Sequence, residues 1–166
     1  MIGDMVRGLV TTIKHVIQRP VTIEYPEVRR PVQPRFKGRH WLHRYENGLE
    51  KCIGCSLCAA ACPVEAIWVE AEVNTDDERY SPGERYAKTY EINYLRCIFC
   101  GYCEDACPTE AITMGHMYEL SFTSRADAIY TKDKLLEPVP PNGADTPQKV
   151  APGQFDRAIP LMEDPK

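Results

Sequence analysis

Residues 1–19 place Ile2, Met5, Val6, Leu9, Val10, Ile13, Val16 and Ile17 at i, i+3 and i+4 spacing, with Asp4, Arg7, Lys14 and Gln18 on the other faces. This period predicts an amphipathic helix, stopped by Pro20 at or before Arg19. It is too short and too mixed to span a bilayer. The longest apolar runs in the chain, such as Ala59 to Cys62, fall far short of the ~20 residues a span requires. Residues 20–50 lose the period. Pro20, Pro26, Pro31 and Pro34 alternate there with Arg29, Arg30, Arg35, Lys37, Arg39, His40, His43 and Arg44, which predicts an extended arm. Further along, Ile67–Val73 and Tyr86–Ile92 show strand-like alternation around the polar segment NTDDERYSPG, predicting a β-hairpin. After a second motif, Ile112–Leu120 is expected to repeat the strand that follows the first. Residues 124–136 predict a helix with Ser124 as N-cap. The tail 137–166 holds seven of the fourteen prolines and reads as extended, ordered only along a partner.

Composition bounds the picture. With 166 residues, 43% hydrophobic and 27% charged, the chain has the make-up of one domain with tails. The net charge of -4 is unevenly spread. Residues 1–45 hold nine Lys/Arg against three Asp/Glu, a net of +6, and residues 46–166 carry a net of -10. A basic arm before an acidic body suggests an acidic counterpart. An acidic protein, a lipid headgroup surface and nucleic acid all fit, as does a merely solvated loop. Trp41 and Tyr45 among the basic residues favour a protein anchor. No P-loop, G-x-G-x-x-G or H-E-x-x-H motif occurs, so no site for ATP, NAD or flavin is expected.

The cysteines decide the chemistry. Cys52, Cys55, Cys58 and Cys62 precede Pro63; Cys97, Cys100, Cys103 and Cys107 precede Pro108. Both groups read C-x2-C-x2-C-x3-C-P, offset by 45 residues, and ten of the sixteen positions in CIGCSLCAAACPVEAI recur in CIFCGYCEDACPTEAI. Three thiolates in one tight loop can wrap one side of a cubane, while the fourth is aimed away from its own loop. In two-cluster ferredoxins that fourth cysteine ligates the other cluster. Cys52, Cys55, Cys58 and Cys107 are therefore expected to hold one [4Fe–4S] cluster, and Cys97, Cys100, Cys103 and Cys62 the other. Structural zinc prefers two C-x2-C knuckles set further apart. A disulfide framework calls for a secreted chain, and Asp4, Arg7 and Lys14 interrupt any signal-peptide core. Ile53, Leu57, Ile67, Ile98, Phe99 and Ile112 are expected to shield the clusters from water, with packing of a small core as an equal account. His40 and His43 are expected to be polar surface residues, because eight thiolates already complete two clusters.

The segments GLVTTIKHVIQRPVTIEYPE, GRH (Gly38 to His40), RYENGLEKC (Arg44 to Cys52) and IYTKDKLL, together with the two cysteine runs, resemble subunit I of NADH-quinone oxidoreductase, respiratory complex I. The resemblance covers about residues 5–136. It implies an α+β fold with a two-[4Fe–4S] bacterial ferredoxin-type core, an internal pseudo-two-fold repeat and an N-terminal amphipathic helix with an extended arm; the extended C-terminal tail lies outside the match. Residues 1–45 would dock, 46–120 would carry the clusters, and 121–166 would hold a helix and the tail. The resemblance further implies electron relay, within an NADH:quinone oxidoreductase (translocase), from the flavin side toward the terminal cluster that reduces quinone. The chain would have no substrate site of its own. Its partners would be the other peripheral-arm iron–sulfur subunits, a membrane-arm subunit near the quinone site, and the membrane surface. Nucleic acid is not expected. The starting Met and absence of a long presequence suggest the cytoplasmic face of a bacterial plasma membrane. A diffusible ferredoxin, the equivalent subunit of a membrane-bound hydrogenase-type or formate-linked complex, and a nucleic-acid-binding iron–sulfur protein using the basic arm are the rival readings.

Overall fold

The computed structural model describes residues 2–149. The chain divides into two units, Met1–Gln33 and Pro34–Lys166, taken here in turn. The first consists of helix α1, Ile2–Ile17, and a short extended stretch ending in a turn in which Val28 N–H donates to the Glu24 carbonyl. The helix matches the apolar period of the sequence, and none of its residues is buried. Among the described residues no helix is long and apolar enough to cross a membrane.

Among its described residues the second unit carries eight short elements: β1 His40–Leu42, α2 Leu57–Ala60, β2 Ile67–Val73, β3 Arg85–Asn93, α3 Tyr102–Asp105, β4 Ile112–Met114, β5 Ile129–Thr131 and α4 Lys132–Leu135. They form two antiparallel sheets, one of β1 and β4 and one ordered β2-β3-β5. The predicted hairpin is present. Its register slips between Glu70 and Ala71, where the partners step from Thr89 to Ala87 and leave Lys88 as an extra residue. Such a bulge bends the ribbon and increases its twist.

Four expectations are corrected. First, residues 34–45 belong to the compact unit and not to a free arm. Gly38 N–H donates to the Gly115 carbonyl and Arg39 N–H to that of Met117, and β1 pairs His40 with Met114 and Leu42 with Ile112. A Cβ on Gly38 would collide with the Met117 carbonyl oxygen, so this approach requires glycine. Second, His40 is not on the surface: it is 1% exposed, because the strand alternation that turns Leu42 inward turns His40 inward with it. His43 is half-buried and paired through Nδ1 with Glu137 Oε1 at 2.8 Å. Third, residues 124–136 are not one helix. Ser124 accepts the Asp127 N–H at 3.2 Å in a local turn, after which the β-prone residues Ile129, Tyr130 and Thr131 add to β3 as a third strand before α4 begins. Fourth, the start of the tail lies along this chain's own surface. Glu137 N–H donates to the Leu42 carbonyl, Gln148 pairs with Arg79, and Arg44 reaches the Glu137 and Gly48 carbonyls and Asp145. The tail beyond residue 149 lies outside the described residues.

The core gathers Leu42, Ile67, Ala87, Tyr90, Ile92, Tyr94, Ile112 and Leu135 around Cys58 and Cys103. Beside it Tyr94 stacks on Phe99 and Phe122 and meets Tyr130 edge-on. Two of the buried side chains of so small a core are therefore thiols.

Candidate functional site

Each cysteine motif folds as a loop followed by one helical turn, and the two copies share backbone conformation as well as sequence. Left-handed residues recur at the 45-residue offset: Gly54 with Phe99, Ser56 with Gly101, and Glu65 with Glu110. At Gly54 a Cβ would approach the Tyr86 carbonyl oxygen to 2.8 Å and the Ala71 Cβ to 2.9 Å. Glycine there admits β2 and β3 against the first loop, whereas Phe99 in the second loop projects into the Tyr94 aromatic cluster. The positive φ values turn successive amides toward the loop interior. Phe99 N–H donates to Cys97 Sγ at 3.4 Å, Ala66 N–H to Cys62 Sγ at 3.3 Å and Ala111 N–H to Cys107 Sγ at 3.2 Å.

The eight thiols enclose two recesses, each built from both motifs. Cys52, Cys55, Cys58 and Cys107 line one, together with Ile53, Val69, Tyr90, Thr109 and Ile112. Cys62, Cys97, Cys100 and Cys103 line the other, together with His40, Val64, Ile67 and Ile98. The last cysteine of each motif faces across to the other motif's recess. All eight are free thiols. Among the described residues no three Cys, His, Asp or Glu side chains converge on a point that could hold a single metal ion. A cubane requires a different arrangement, four thiolates spread around a body with one iron for each, and the two four-thiol recesses fit that requirement.

Burial governs Cys52, Cys58, Cys97 and Cys103. It pushes Cys52 up to about 12 despite the Gly54 N–H, and Cys103 up to about 12 despite the Glu104 N–H. Cys58 and Cys97 are raised for the same reason. Cys107 is the exception: burial raises it, but the N–H groups of Ile112, Thr109 and Ala111 and the Thr109 hydroxyl outweigh burial and hold it below its ordinary value. Buried thiols of this kind keep their protons until iron replaces them.

Ile67 and Ile112 are buried walls of the recesses, as expected. Leu57 is 48% exposed and lines neither recess, while Ile98 lines the second recess at its rim and is 60% exposed. Sequence reading missed three polar residues. Tyr90 is 1% exposed and its Oη lies 3.2 Å from Cys58 Sγ. The Thr109 hydroxyl lies 3.7 Å from Cys107 Sγ. His40 takes both its polar contacts from one phenol, backbone N to Tyr94 Oη and Nδ1 to the same oxygen, each at 3.2 Å. Burial lowers His40 to about 4, so its imidazole is neutral. The period-2 pattern of β3 points to an inward Tyr90; nothing local says that it faces a thiol.

Residues 51–111 match the family described as the 4Fe-4S dicluster domain. This stretch contains all eight cysteines, and its cofactors are two [4Fe–4S] clusters serving electron transport. Among solved structures, the membrane-bound sulfane sulfur reductase, described as an archaeal respiratory membrane complex, contains a similar chain. The two are 33% identical with a TM-score of 0.45, over 70% of this chain and 55% of that one. This chain thus spans about half the length of that relative.

Proposed function

We propose that this chain is the electron-relay subunit of a membrane-bound respiratory complex of the NADH-quinone oxidoreductase type. In this reading Cys52, Cys55, Cys58 and Cys107 hold one cluster and Cys62, Cys97, Cys100 and Cys103 the other. When bound, each cluster supplies a one-electron couple whose potential is set by the groups around it. The residues present the thiolates, exclude water with Ile67, Ile112 and Val69, and supply amide hydrogen bonds to sulfur. The observation that carries the relay is the crossing of the motifs: each recess borrows one thiol from the other loop, which places the two sites side by side in one small core. Electron exchange between them then needs no diffusing carrier.

Attachment to a complex rests on α1. Its apolar residues, Leu9 and Val10 among them, are exposed, the pattern of a helix that lies in a membrane interface or against a partner. A freely diffusing carrier has no use for such a face. The resemblance carried by RYENGLEKC and the flanking motifs favours NADH as the original donor, quinone as the final acceptor and the cytoplasmic face of the membrane as the location.

The test is to isolate this chain from gently solubilised membranes without oxygen, identify its companions and count iron per copy. About eight irons, with flavin- and NADH-oxidising subunits in the same particle, is the expected result. Companions with a different donor chemistry would move the chain to a hydrogenase-type or other respiratory complex. Recovery of the chain alone, with its iron, would make it a diffusible ferredoxin. Zinc in place of iron would overturn the reading.

A further inference from the structure

The duplication permits a comparison that a single site would not, because backbone bonds to sulfur recur in pairs at the 45-residue offset. Gly54 and Phe99 donate to Cys52 and Cys97, and Ala59 and Glu104 to Cys58 and Cys103. Ala66 and Ala111 donate to Cys62 and Cys107. Each recess receives one member of every pair, so these paired contributions largely cancel between the two sites, while Cys107 of the first recess accepts in addition from the Thr109 and Ile112 N–H groups. Side-chain donors do not cancel. Tyr90 Oη lies 3.2 Å from Cys58 Sγ and the Thr109 hydroxyl 3.7 Å from Cys107 Sγ, and both thiols belong to the first recess. The counterpart of Thr109 in the second recess is Val64, which has no hydroxyl. Tyr90 comes from β3, in the insertion between the motifs, and has no counterpart. Among the described residues the thiols of the second recess accept from backbone N–H groups alone, and the polar contacts of His40 are directed to Tyr94.

Once Cys58 is a thiolate, only the phenol can donate in the Tyr90 contact. A donor to a ligating sulfur stabilises the reduced state more than the oxidised one, because reduction adds negative charge to the iron–sulfur core and charge strengthens the bond. Burial of Tyr90 removes competing water and enlarges the effect.

We propose that Tyr90, assisted by Thr109, is a positioning residue that raises the reduction potential of the first site above that of the second and so directs electron flow within the chain. One electron leaves the site of Cys62, Cys97, Cys100 and Cys103, which is oxidised by one, and enters the site of Cys52, Cys55, Cys58 and Cys107, which is reduced by one. No proton moves, since Tyr90 keeps its own. The inference rests on the ligand sets proposed above.

The experiment is a redox titration of the intact membrane complex followed by electron paramagnetic resonance. The two signals are assigned with Cys62→Ala, which removes the second. Tyr90→Phe is expected to shift the first site's equilibrium about tenfold toward the oxidised state, about 59 mV for one electron, while the second stays in place. Thr109→Val shifts the first in the same direction by less. If Tyr90→Phe fails to assemble, 3-fluorotyrosine at position 90 keeps the ring and makes a stronger donor, so the first midpoint rises instead. Two intact signals with an unmoved first midpoint, or both midpoints moving together, would overturn the proposal and leave the ligand sets standing. A wild-type complex without two such signals would instead overturn the ligand sets.

Discussion

Lys132 Nζ sits 2.8 Å from Glu50 Oε2, and the carboxylate is 2% exposed. The same ammonium donates to the Ala87 carbonyl at 2.8 Å and lies 5.3 Å from the centroids of Tyr80 and Tyr86, which stack on each other at 4.2 Å. One side chain of α4 thereby ties β3 to the residue two positions before Cys52. Burial raises the Glu50 carboxyl against the opposing pull of Lys132 and Arg44. Lys132→Met would leave that carboxylate buried without its ammonium and is expected to cost about 3–5 kcal/mol. Thermal unfolding of the iron-loaded protein reads the loss. A change within the error of the melt would mean that water replaces the pair.

The crossing of the motifs predicts an effect at a distance in sequence. Cys62 follows the first loop but lines the second recess. Cys62→Ala should deplete the iron held by Cys97, Cys100 and Cys103 and spare most of that held by Cys52, Cys55, Cys58 and Cys107. Iron content near half, with one of two resonance signals retained, is the expected outcome. Loss of the signal that depends on Cys55 instead would reverse the assignment.

Helix α1 buries none of its residues. Deleting residues 2–19 should leave iron content intact and the unfolding free energy within about 0.5 kcal/mol, while the protein leaves the membrane fraction. A truncated chain still sedimenting with membranes would shift attachment to the other unit.

Arg39 was expected to face a partner and instead braces its own fold. Its guanidinium carbon lies 4.3 Å from the Trp41 ring centroid and 5.3 Å from that of Tyr130, and it donates to the Lys134 carbonyl at 2.5 Å. Arg39→Ala should destabilise the unit by about 1–3 kcal/mol, measured by denaturant titration. Normal stability with weakened assembly would restore the docking role.

How much of this was legible differs from element to element. The α1 helix and the β2–β3 hairpin could be read because their periodicities are local. Ile129 to Thr131 could not. Nothing in SRADAIYTKDKLL reports the free edge of β3 nearly forty residues earlier, and pairing with that edge overrode helical spacing. His40 looked like one basic residue among many, and only its pairing opposite Met114 turned it inward.

The sequence by itself determined the chemistry. Eight cysteines in two matched spacings specify two iron–sulfur sites, because thiolate spacing along a tight loop is a covalent constraint that travels with the chain. The tertiary structure decided what surrounds the sulfurs. Tyr90 and His40 reach the recesses from β3 and β1, and their placement depends on how sheets and loops close over one another, whereas the Thr109 contact is local, two residues from Cys107. Hydrogen bonds to sulfur act over about 3–4 Å, so whether the two matched sites behave alike is settled by contacts between segments far apart in the chain.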